Sequence, residues 1–208
     1  MAIIPRPASP VLPPLIDFLA AKPKSALFLR ICSKDYPRLD QAFRMGGDAR
    51  FSDPTESTFE TLYCAPDFAT CYAETLVRGT AFNYSTKRHE VPLKVHNQRM
   101  LQLLVVDVMQ LHLIDLHEQA TSMGLSNQTG LSDYDYTRWF SYEAYHHKSQ
   151  PDGIWYSAKF GAGSKPALVL FDRAKPHVTM YPSFKPTYLR RLKPMFDAIS
   201  SQCPVALV

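Results

Sequence analysis

The sequence predicts an α+β fold, and three observations support this prediction. Apolar runs of strand length mix with amphipathic segments, without the regular strand–helix–strand alternation of a doubly wound parallel sheet. Hydrophobic residues form 46% and charged residues 20% of the 208 positions, which is an ordinary globular composition. No glycine-rich loop of the dinucleotide-binding or phosphate-binding type is present. We therefore expect a chain whose hydrophobic core needs no disulfide bonds.

The charge and the cysteine pattern exclude several classes of protein. The net charge of +4 is compatible with an anionic small ligand but is too small to indicate direct nucleic-acid binding. The four cysteines form neither a CxxC pair nor a metal-ligand spacing, so we expect reduced thiols and no metal site. The sequence also lacks a signal peptide and a membrane-length apolar run. These features predict a cytoplasmic protein without membrane contacts.

The N-terminal quarter predicts an arm, a strand and a long loop. Residues 1–25 are rich in proline, which is excluded from helix interiors and central strands, so we expect an extended arm. Residues 26–31 form an apolar run typical of a buried strand, interrupted by Arg30. Residues 32–56 show no periodicity and contain several turn signals, which indicates a long loop that includes Arg50. Long ordered loops often carry function.

A strand and a helix are predicted next. Residues 61–65 are typical of a strand, and Asp67 is a suitable N-cap for a helix over 68–78 that ends before Gly79. Helical spacing places five apolar residues on one face of it, Ala69, Tyr72, Ala73, Leu76 and Val77. Glu74 borders this face, so its carboxylate can point to the edge of a cleft.

The second half of the chain predicts further strands and one long helix. Residues 100–108 are the most apolar run and predict a strand, and residues 111–116 predict a second, short one. The aromatic-rich residues 134–147 have the spacing of an amphipathic helix. Residues 167–171 predict another buried strand. The basic C-terminal segment predicts a helix that starts near Thr187.

Residues 152–160 predict a strand that delivers a serine to a pocket. The stretch opens after a Pro-Asp-Gly turn, is rich in aromatic and β-branched residues, and carries Ser157 near its middle. Ser157 lacks the GxSxG elbow of a serine nucleophile, and the sequence assigns it no histidine. His112 and His117 lie five residues apart and do not form the helical metal motif, so we interpret them as packing or surface residues.

Arg30 is the most informative charged residue. A guanidinium inside an apolar strand is costly unless an anion pairs with it, and that anion could be an internal carboxylate or a ligand phosphate or carboxylate. Both alternatives are open at the level of sequence. Arg50 could meet the same anion from the long loop. Tyr63 offers either a core-packing ring or a flat surface that stacks on an aromatic ligand.

Four segments together resemble the RES domain family, named for its arginine, glutamate and serine. The matching segments, in chain order, are 29–31 around Arg30, 49–54 around Arg50, 62–76 with Tyr63 and Glu74, and 152–157 with Ser157. The resemblance implies a compact fold like that of the ADP-ribosyltransferases, with a small mixed or antiparallel sheet core flanked by helices. It extends over residues 26–175, flanked by the arm and by a basic helical extension over 176–208 that we expect to pack on the same domain.

The resemblance also implies an activity and a partner. Members of the family act as toxins of toxin–antitoxin pairs, several of them by consuming NAD, and their usual partner is an Xre-type antitoxin. The three name-giving residues map onto Arg30, Glu74 and Ser157, which are the implied catalytic residues, with Arg50 and Tyr63 as implied NAD-binding residues. NAD would be the substrate rather than a resident cofactor, and the resemblance implies no metal.

The sequence leaves other functions open. One alternative is an ADP-ribosyltransferase that modifies a protein target, because water, phosphate and a protein side chain can all attack the same ribosyl cation. Another is a non-catalytic module that binds a nucleotide or a partner. A weaker alternative is DNA binding through the basic C-terminal segment, which we interpret as a solvated helix face.

Overall fold

The computed structural model describes residues 26–78, 80–118, 134–158, 165–200 and 204–208. The predictions for the arm over 1–25, for Gly79 as a helix end and for the last two residues of the 152–160 strand lie outside these residues. Within the described part of the chain, no helix is long and apolar enough to cross a membrane.

Short strands and helices mix along the chain, as the sequence predicts. The strands are β1 (Leu27–Ser33), β2 (Arg44–Met45), β3 (Glu60–Cys64), β4 (Phe82–Asn83), β5 (Arg88–Val91), β6 (Arg99–Val106), β7 (Leu113–Leu116), β8 (Gly153–Ser157), β9 (Pro166–Phe171), β10 (Val178–Met180), β11 (Thr187–Tyr188) and β12 (Val205–Leu207). The α-helices are α1 (Phe68–Tyr72), α2 (Leu93–Asn97), α3 (Tyr134–His146) and α4 (Lys193–Ser200). A π-helical segment, Ala73–Val77, follows α1 directly. The α+β fold class is therefore confirmed.

Two larger sheets form the centre of the molecule. One has the strand order β2-β3-β9-β8-β7, antiparallel except for the parallel pair β7–β8. In the other, β1, β10 and β11 all pair with β6 in antiparallel orientation. Leu29 on β1 and Ala65 after β3 exchange two backbone hydrogen bonds of 2.7 and 2.9 Å, which join the two sheets. This junction brings the strand that carries Arg30 next to the strand that carries Tyr63.

A small third sheet has the order β12-β5-β4, in which the C-terminal strand β12 runs parallel to β5. The short strands of this sheet have no clear alternation in the sequence, and their pairing depends on contacts between distant residues.

Two clusters of buried side chains form the core. One lies around α1 and α3 and includes Phe51, Tyr72, Phe140 and Tyr156. The other lies between the central strands and includes Phe28, Leu62, Leu104, Leu168 and Leu170. Burial of each such large side chain contributes about 1.5–3 kcal/mol to stability.

The C-terminal segment differs from its prediction. The expected helix from Thr187 is wrong at its start, because residues Thr187–Tyr188 form a strand that pairs with Leu101 and Met100 of β6. The helix α4 begins only at Lys193, with Pro194 in its first turn, where a missing N–H costs nothing. Pairing with the edge of β6 therefore outweighs the local helical spacing.

Candidate active site

A cavity of about 410 Å³ lies beside β1 and collects three of the predicted site residues. Arg30 on β1, Tyr63 on β3 and Glu74 in the π-helical segment all line it. Arg50 and Ser157 are not among the described residues that line this cavity, and Arg50 donates a hydrogen bond to the Ser157 carbonyl instead. The fold thus places three of the five residues around one space and joins the other two to each other.

Arg30 is buried, and no carboxylate among the described residues forms an ion pair with it. Its side chain is 6% exposed, and its Nη1 donates to Oε1 of Gln102, the residue paired with it on β6. Among the ion pairs of the described residues, none involves Arg30. Burial lowers the pKa of this guanidinium, and the nearby charge of Arg44 acts in the same direction. A buried guanidinium with a neutral partner and a second cation nearby is suited to an anionic ligand.

The charge of the cavity wall is predominantly positive. The arginines that line it are Arg30, Arg44, Arg78 and Arg99, and the acidic residues are Asp48 and Glu74. The guanidinium of Arg44 lies 4.2 Å from the centre of the Tyr36 ring, which is also part of the wall. Sequence reasoning does not single out Arg44, Arg78 or Arg99, because arginines in polar stretches are ordinary surface residues.

Glu74 lies in a π-helical turn. Asp67 caps the preceding helix as predicted, since its side chain accepts the Thr70 backbone N–H at 3.0 Å. From Ala73 the hydrogen bonding changes to the wider π pattern, with the Arg78 N–H donating to the Ala73 carbonyl at 3.0 Å. π-Helical turns are rare and occur frequently at functional sites. The predicted helix is therefore present, but its second half, which contains Glu74, is a π-helix and not an α-helix.

The Glu74 carboxylate is held by a buried phenol. The Tyr156 hydroxyl donates to Glu74 Oε2 at 3.2 Å. Burial raises the pKa of Tyr156 well above its ordinary value, and the charge of Glu74 adds to this effect. The phenol therefore remains a donor over the whole physiological pH range, and it orients the carboxylate at the cavity wall.

Tyr63 both packs on the core and lines the cavity. Its hydroxyl accepts the Phe51 backbone N–H at 2.8 Å, which fixes the ring against the long loop. Burial raises the pKa of Tyr63 to about 12, so the ring is neutral. Both interpretations left open by the sequence are compatible with this position, because Tyr63 packs against the core and also lines the cavity.

The long loop is held by a buried aspartate. Asp53 accepts backbone N–H groups of Thr55, Ser57 and Thr58 at 2.9, 2.9 and 2.6 Å. Burial opposes ionisation of Asp53, but these donors outweigh it and lower the pKa of the carboxyl. From α3, Arg138 Nη2 donates to the Asp53 carbonyl at 3.2 Å. These hydrogen bonds hold the long loop against the rest of the fold.

Arg50 connects this loop to β8. Its side chain is 3% exposed, its Nη1 lies 3.3 Å from the Ser157 carbonyl, and its Nε has no acceptor among the described residues. Its guanidinium also lies 5.4 Å from the centre of the Tyr156 ring. Arg50 is thus positioned against the end of β8 rather than at the cavity wall, and β8 is the strand whose Tyr156 holds Glu74.

The Ser157 side chain contacts His117, a partner that the sequence did not predict for it. Its Oγ lies 2.8 Å from His117 Nδ1. The parallel register of β7 and β8, with Leu116 opposite Tyr156, brings the residues after each together. The interpretation of His117 as a plain packing residue is therefore incomplete. A histidine directly after a short strand does not by itself indicate a functional residue. Its contact with Ser157 depends on the parallel pairing of β7 and β8, which lie far apart in the sequence.

The described residues form no complete serine-protease-like triad around Ser157 and His117. The Asp115 carboxylate accepts the backbone N–H groups of His117 and Glu118 at 2.9 and 3.0 Å, so it stabilises the turn after β7. Among the described residues, no group of three or more histidine, cysteine or acidic side chains is arranged to hold a metal ion. Cys32, Cys64 and Cys71 are buried free thiols.

Comparisons with known proteins identify a matching family and a solved structure with a similar fold. The family model of the RES domain matches residues 27–190. A chain of the crystal structure of the M. tuberculosis MbcT–MbcA toxin–antitoxin complex has a similar fold, with a TM-score of 0.62 and 16% sequence identity, over 87% of this chain and 93% of that chain. No curated protein sequence matches the chain. The match covers most of the chain, and the protein belongs to the RES domain family.

Proposed function

We propose that this protein is an NAD-consuming enzyme that cleaves the bond between nicotinamide and ribose and acts as the toxin of a toxin–antitoxin pair. The observation that supports this proposal best is that one cavity is lined by the buried Arg30 guanidinium, the Glu74 carboxylate and the Tyr63 ring. A pure anion-binding module has little use for a carboxylate at the same wall.

The arginines fit the pyrophosphate of NAD. Arg30 uses one of its five N–H donors on Gln102, and a guanidinium fork binds phosphate oxygens or ribose hydroxyls in a bidentate manner. Arg44 and Arg99 line the same cavity and add positive charge. We assign the pyrophosphate or the nicotinamide ribose to this side of the cavity. Arg50 would support the site indirectly, through its hydrogen bond to the Ser157 carbonyl at the end of β8.

Glu74 is suited to the cleavage step. An ionised carboxylate that hydrogen-bonds the ribose 2′-hydroxyl stabilises the oxocarbenium-like transition state of glycosidic cleavage. Tyr156 holds this carboxylate in place with its hydroxyl. Tyr63 would stack on the nicotinamide. Ser157 follows Tyr156 at the end of β8, outside the described lining of the cavity, and would position the amide or the ribose where the substrate reaches this strand end. Nicotinamide leaves as a neutral molecule, so the departure of this group needs no Lewis acid.

The acceptor of the ADP-ribosyl group distinguishes three related activities. Purified protein is incubated with NAD, with and without inorganic phosphate, and the ribosyl product is identified by mass. Release of nicotinamide with free or phosphorylated ADP-ribose is expected for hydrolysis or phosphorolysis. Transfer of ADP-ribose to a protein would instead indicate the transferase alternative. Tight NAD binding without released nicotinamide would contradict the proposal and favour a binding module.

A cognate antitoxin is the proposed protein partner. The solved structure with the similar fold is a toxin–antitoxin complex. The family resemblance of the sequence implies that the partner would be an Xre-type antitoxin. Tyr36 and Met45 are large exposed side chains at the cavity wall, which makes this margin suitable for a partner contact. Expression of the chain should arrest bacterial growth, and co-expression of an adjacent antitoxin gene should restore growth. Growth at the normal rate with active protein would contradict the toxin role.

A further inference from the structure

The hydrogen bond between His117 and Ser157 is a feature that the proposed mechanism does not yet use. His117 Nδ1 lies 2.8 Å from Ser157 Oγ, and this hydroxyl also lies 3.4 Å from the His117 carbonyl. A hydroxyl that contacts both the ring and the backbone of one residue has few rotational positions left. Both residues are half-buried, so the pair is neither a core contact nor a loose surface contact.

The fold fixes His117 from two sides. Asp115, which is 5% exposed, accepts the His117 backbone N–H and sets the turn after β7. The Trp155 ring lies 6.4 Å from the imidazole in an edge-on arrangement. The backbone of His117 is therefore fixed by Asp115, and its ring lies between the Trp155 edge and the Ser157 hydroxyl, an arrangement suited to a group that positions another side chain.

We propose that His117 is a positioning residue for the NAD-cleavage reaction, which fixes the Ser157 hydroxyl through its ring Nδ1. This inference rests on the proposed function. The end of β8 connects directly to the site, since the Ser157 carbonyl accepts from Arg50 and the preceding Tyr156 holds Glu74. Displacement of Ser157 would therefore move its hydroxyl away from the substrate. It would also shift the end of β8, which contacts Arg50 and Glu74.

A role for His117 as a general base is not supported by its surroundings. A histidine that activates a serine nucleophile is oriented by a third group on its other ring nitrogen. In the described part of the chain, the neighbouring Asp115 carboxylate binds backbone N–H groups instead of this ring. Stabilisation of the ribosyl cation by Glu74 also needs no covalent serine intermediate. Positioning and general-base catalysis predict different results for conservative variants.

The first test compares His117→Ala, His117→Asn and His117→Gln in steady-state NAD cleavage. His117→Ala should lower kcat by about tenfold, the value of one positioning hydrogen bond of roughly 1–1.5 kcal/mol. The asparagine amide occupies the position of Nδ1, so it can bond the Ser157 hydroxyl and should restore most of the rate. The glutamine amide occupies the position of Nε2, so it cannot form this bond and should not restore the rate. Equal losses in the alanine and asparagine variants would overturn the inference. His112→Asn, at an exposed histidine nearby, is the matched control.

A double variant shows whether the effect passes through Ser157. His117→Ala added to Ser157→Ala should cause no further loss of kcat, because the hydroxyl to be positioned is already absent. Additive losses would overturn the inference. A wild-type protein that leaves NAD intact would overturn the proposed function instead. In that case ¹⁵N NMR of the His117 ring decides separately, since its Nδ1 signal should shift in Ser157→Ala, and an unchanged signal would refute the hydrogen bond.

Discussion

At the scale of single residues, Arg30 shows what a local sequence can and cannot reveal. Its position in an apolar run predicts a buried guanidinium, which the structure contains. Its partner Gln102 lies in another predicted strand, and only the antiparallel register of β1 and β6 places the two opposite each other. The sequence therefore predicts the need for an anion at Arg30 but leaves the choice between carboxylate and ligand open. The neutral partner favours the ligand.

Replacement of Arg30 by lysine tests this assignment. Lysine keeps the positive charge but loses the planar fork, so kcat/KM for NAD should fall by at least about tenfold. The exposed Arg38, which pairs with Asp40 at the surface, provides the control, and Arg38→Lys should leave the kinetics unchanged. Equal kcat/KM values for Arg30→Lys and wild type would remove Arg30 from the proposed anion site.

Glu74→Gln tests the proposed transition-state role. The glutamine amide is nearly isosteric and its oxygen can still accept the Tyr156 hydroxyl, so the fold should persist. Loss of the negative charge should lower the rate of the cleavage step by about 100- to 1,000-fold, as for other electrostatic stabilisers. Single-turnover release of nicotinamide measures the rate, and the melting temperature monitors the fold. Wild-type rates in a folded variant would show that Glu74 does not act in the cleavage.

At the scale of elements, the helix after Asp67 was predictable and its π-helical second half was not. The same apolar residues face the core in either helix type, so hydrophobic spacing alone does not distinguish them. The C-terminal helix α4 packs against the start of this element. The centre of its Phe196 ring lies 5.6 Å from the centre of the Tyr72 ring and 5.5 Å from that of the His96 ring. Tyr72 is also hydrogen-bonded to His96 Nδ1 at 3.0 Å. Three helices, α1, α2 and α4, thus meet at Tyr72, the residue that directly precedes the segment carrying Glu74.

The buried His96 predicts an acid-sensitive fold. Burial lowers the pKa of His96, although its hydrogen bond with Leu189 opposes this shift. The stability due to neutral His96 is complete above the ordinary histidine pKa and is lost as pH falls below it, because the unfolded chain then binds a proton more readily. The free energy of unfolding should therefore fall more steeply in wild type than in His96→Asn from about pH 7 to 5. Parallel pH profiles from urea titrations would contradict this prediction.

At the scale of the whole molecule, local runs predict the fold class, and long-range pairing decides the arrangement. The runs at β1, β6 and β9 are long enough for the sequence to reveal them as strands. The two-residue strand β4 and the parallel pair β12–β5 have no such signal, since their stability comes from residues far apart in the chain. The His117–Ser157 contact was not predictable for the same reason. The sequence therefore predicts which residue types form the candidate site but not how these residues are arranged in space.

The last 18 residues extend past the family match, which ends at 190, and we propose that they form part of the same folding unit. Strand β12 pairs with β5, while Ile199 and Val205 are buried in the core around α1. Phe196→Ala removes a half-buried ring from Tyr72 and His96. It should lower the free energy of unfolding by about 1–3 kcal/mol, less than for a fully buried phenylalanine.

The control for Phe196→Ala is Lys193→Ala on the same helix. Lys193 forms an exposed ion pair with Asp197, which is worth less than about 1 kcal/mol, so this variant should unfold at nearly the wild-type urea concentration. Because Phe196 packs on the helix that leads to Glu74, its loss should also raise hydrogen exchange in residues 68–78. A destabilised variant with unchanged exchange there would show that α4 supports the fold without supporting the site. Unchanged stability in Phe196→Ala would exclude the C-terminal segment from the folding unit.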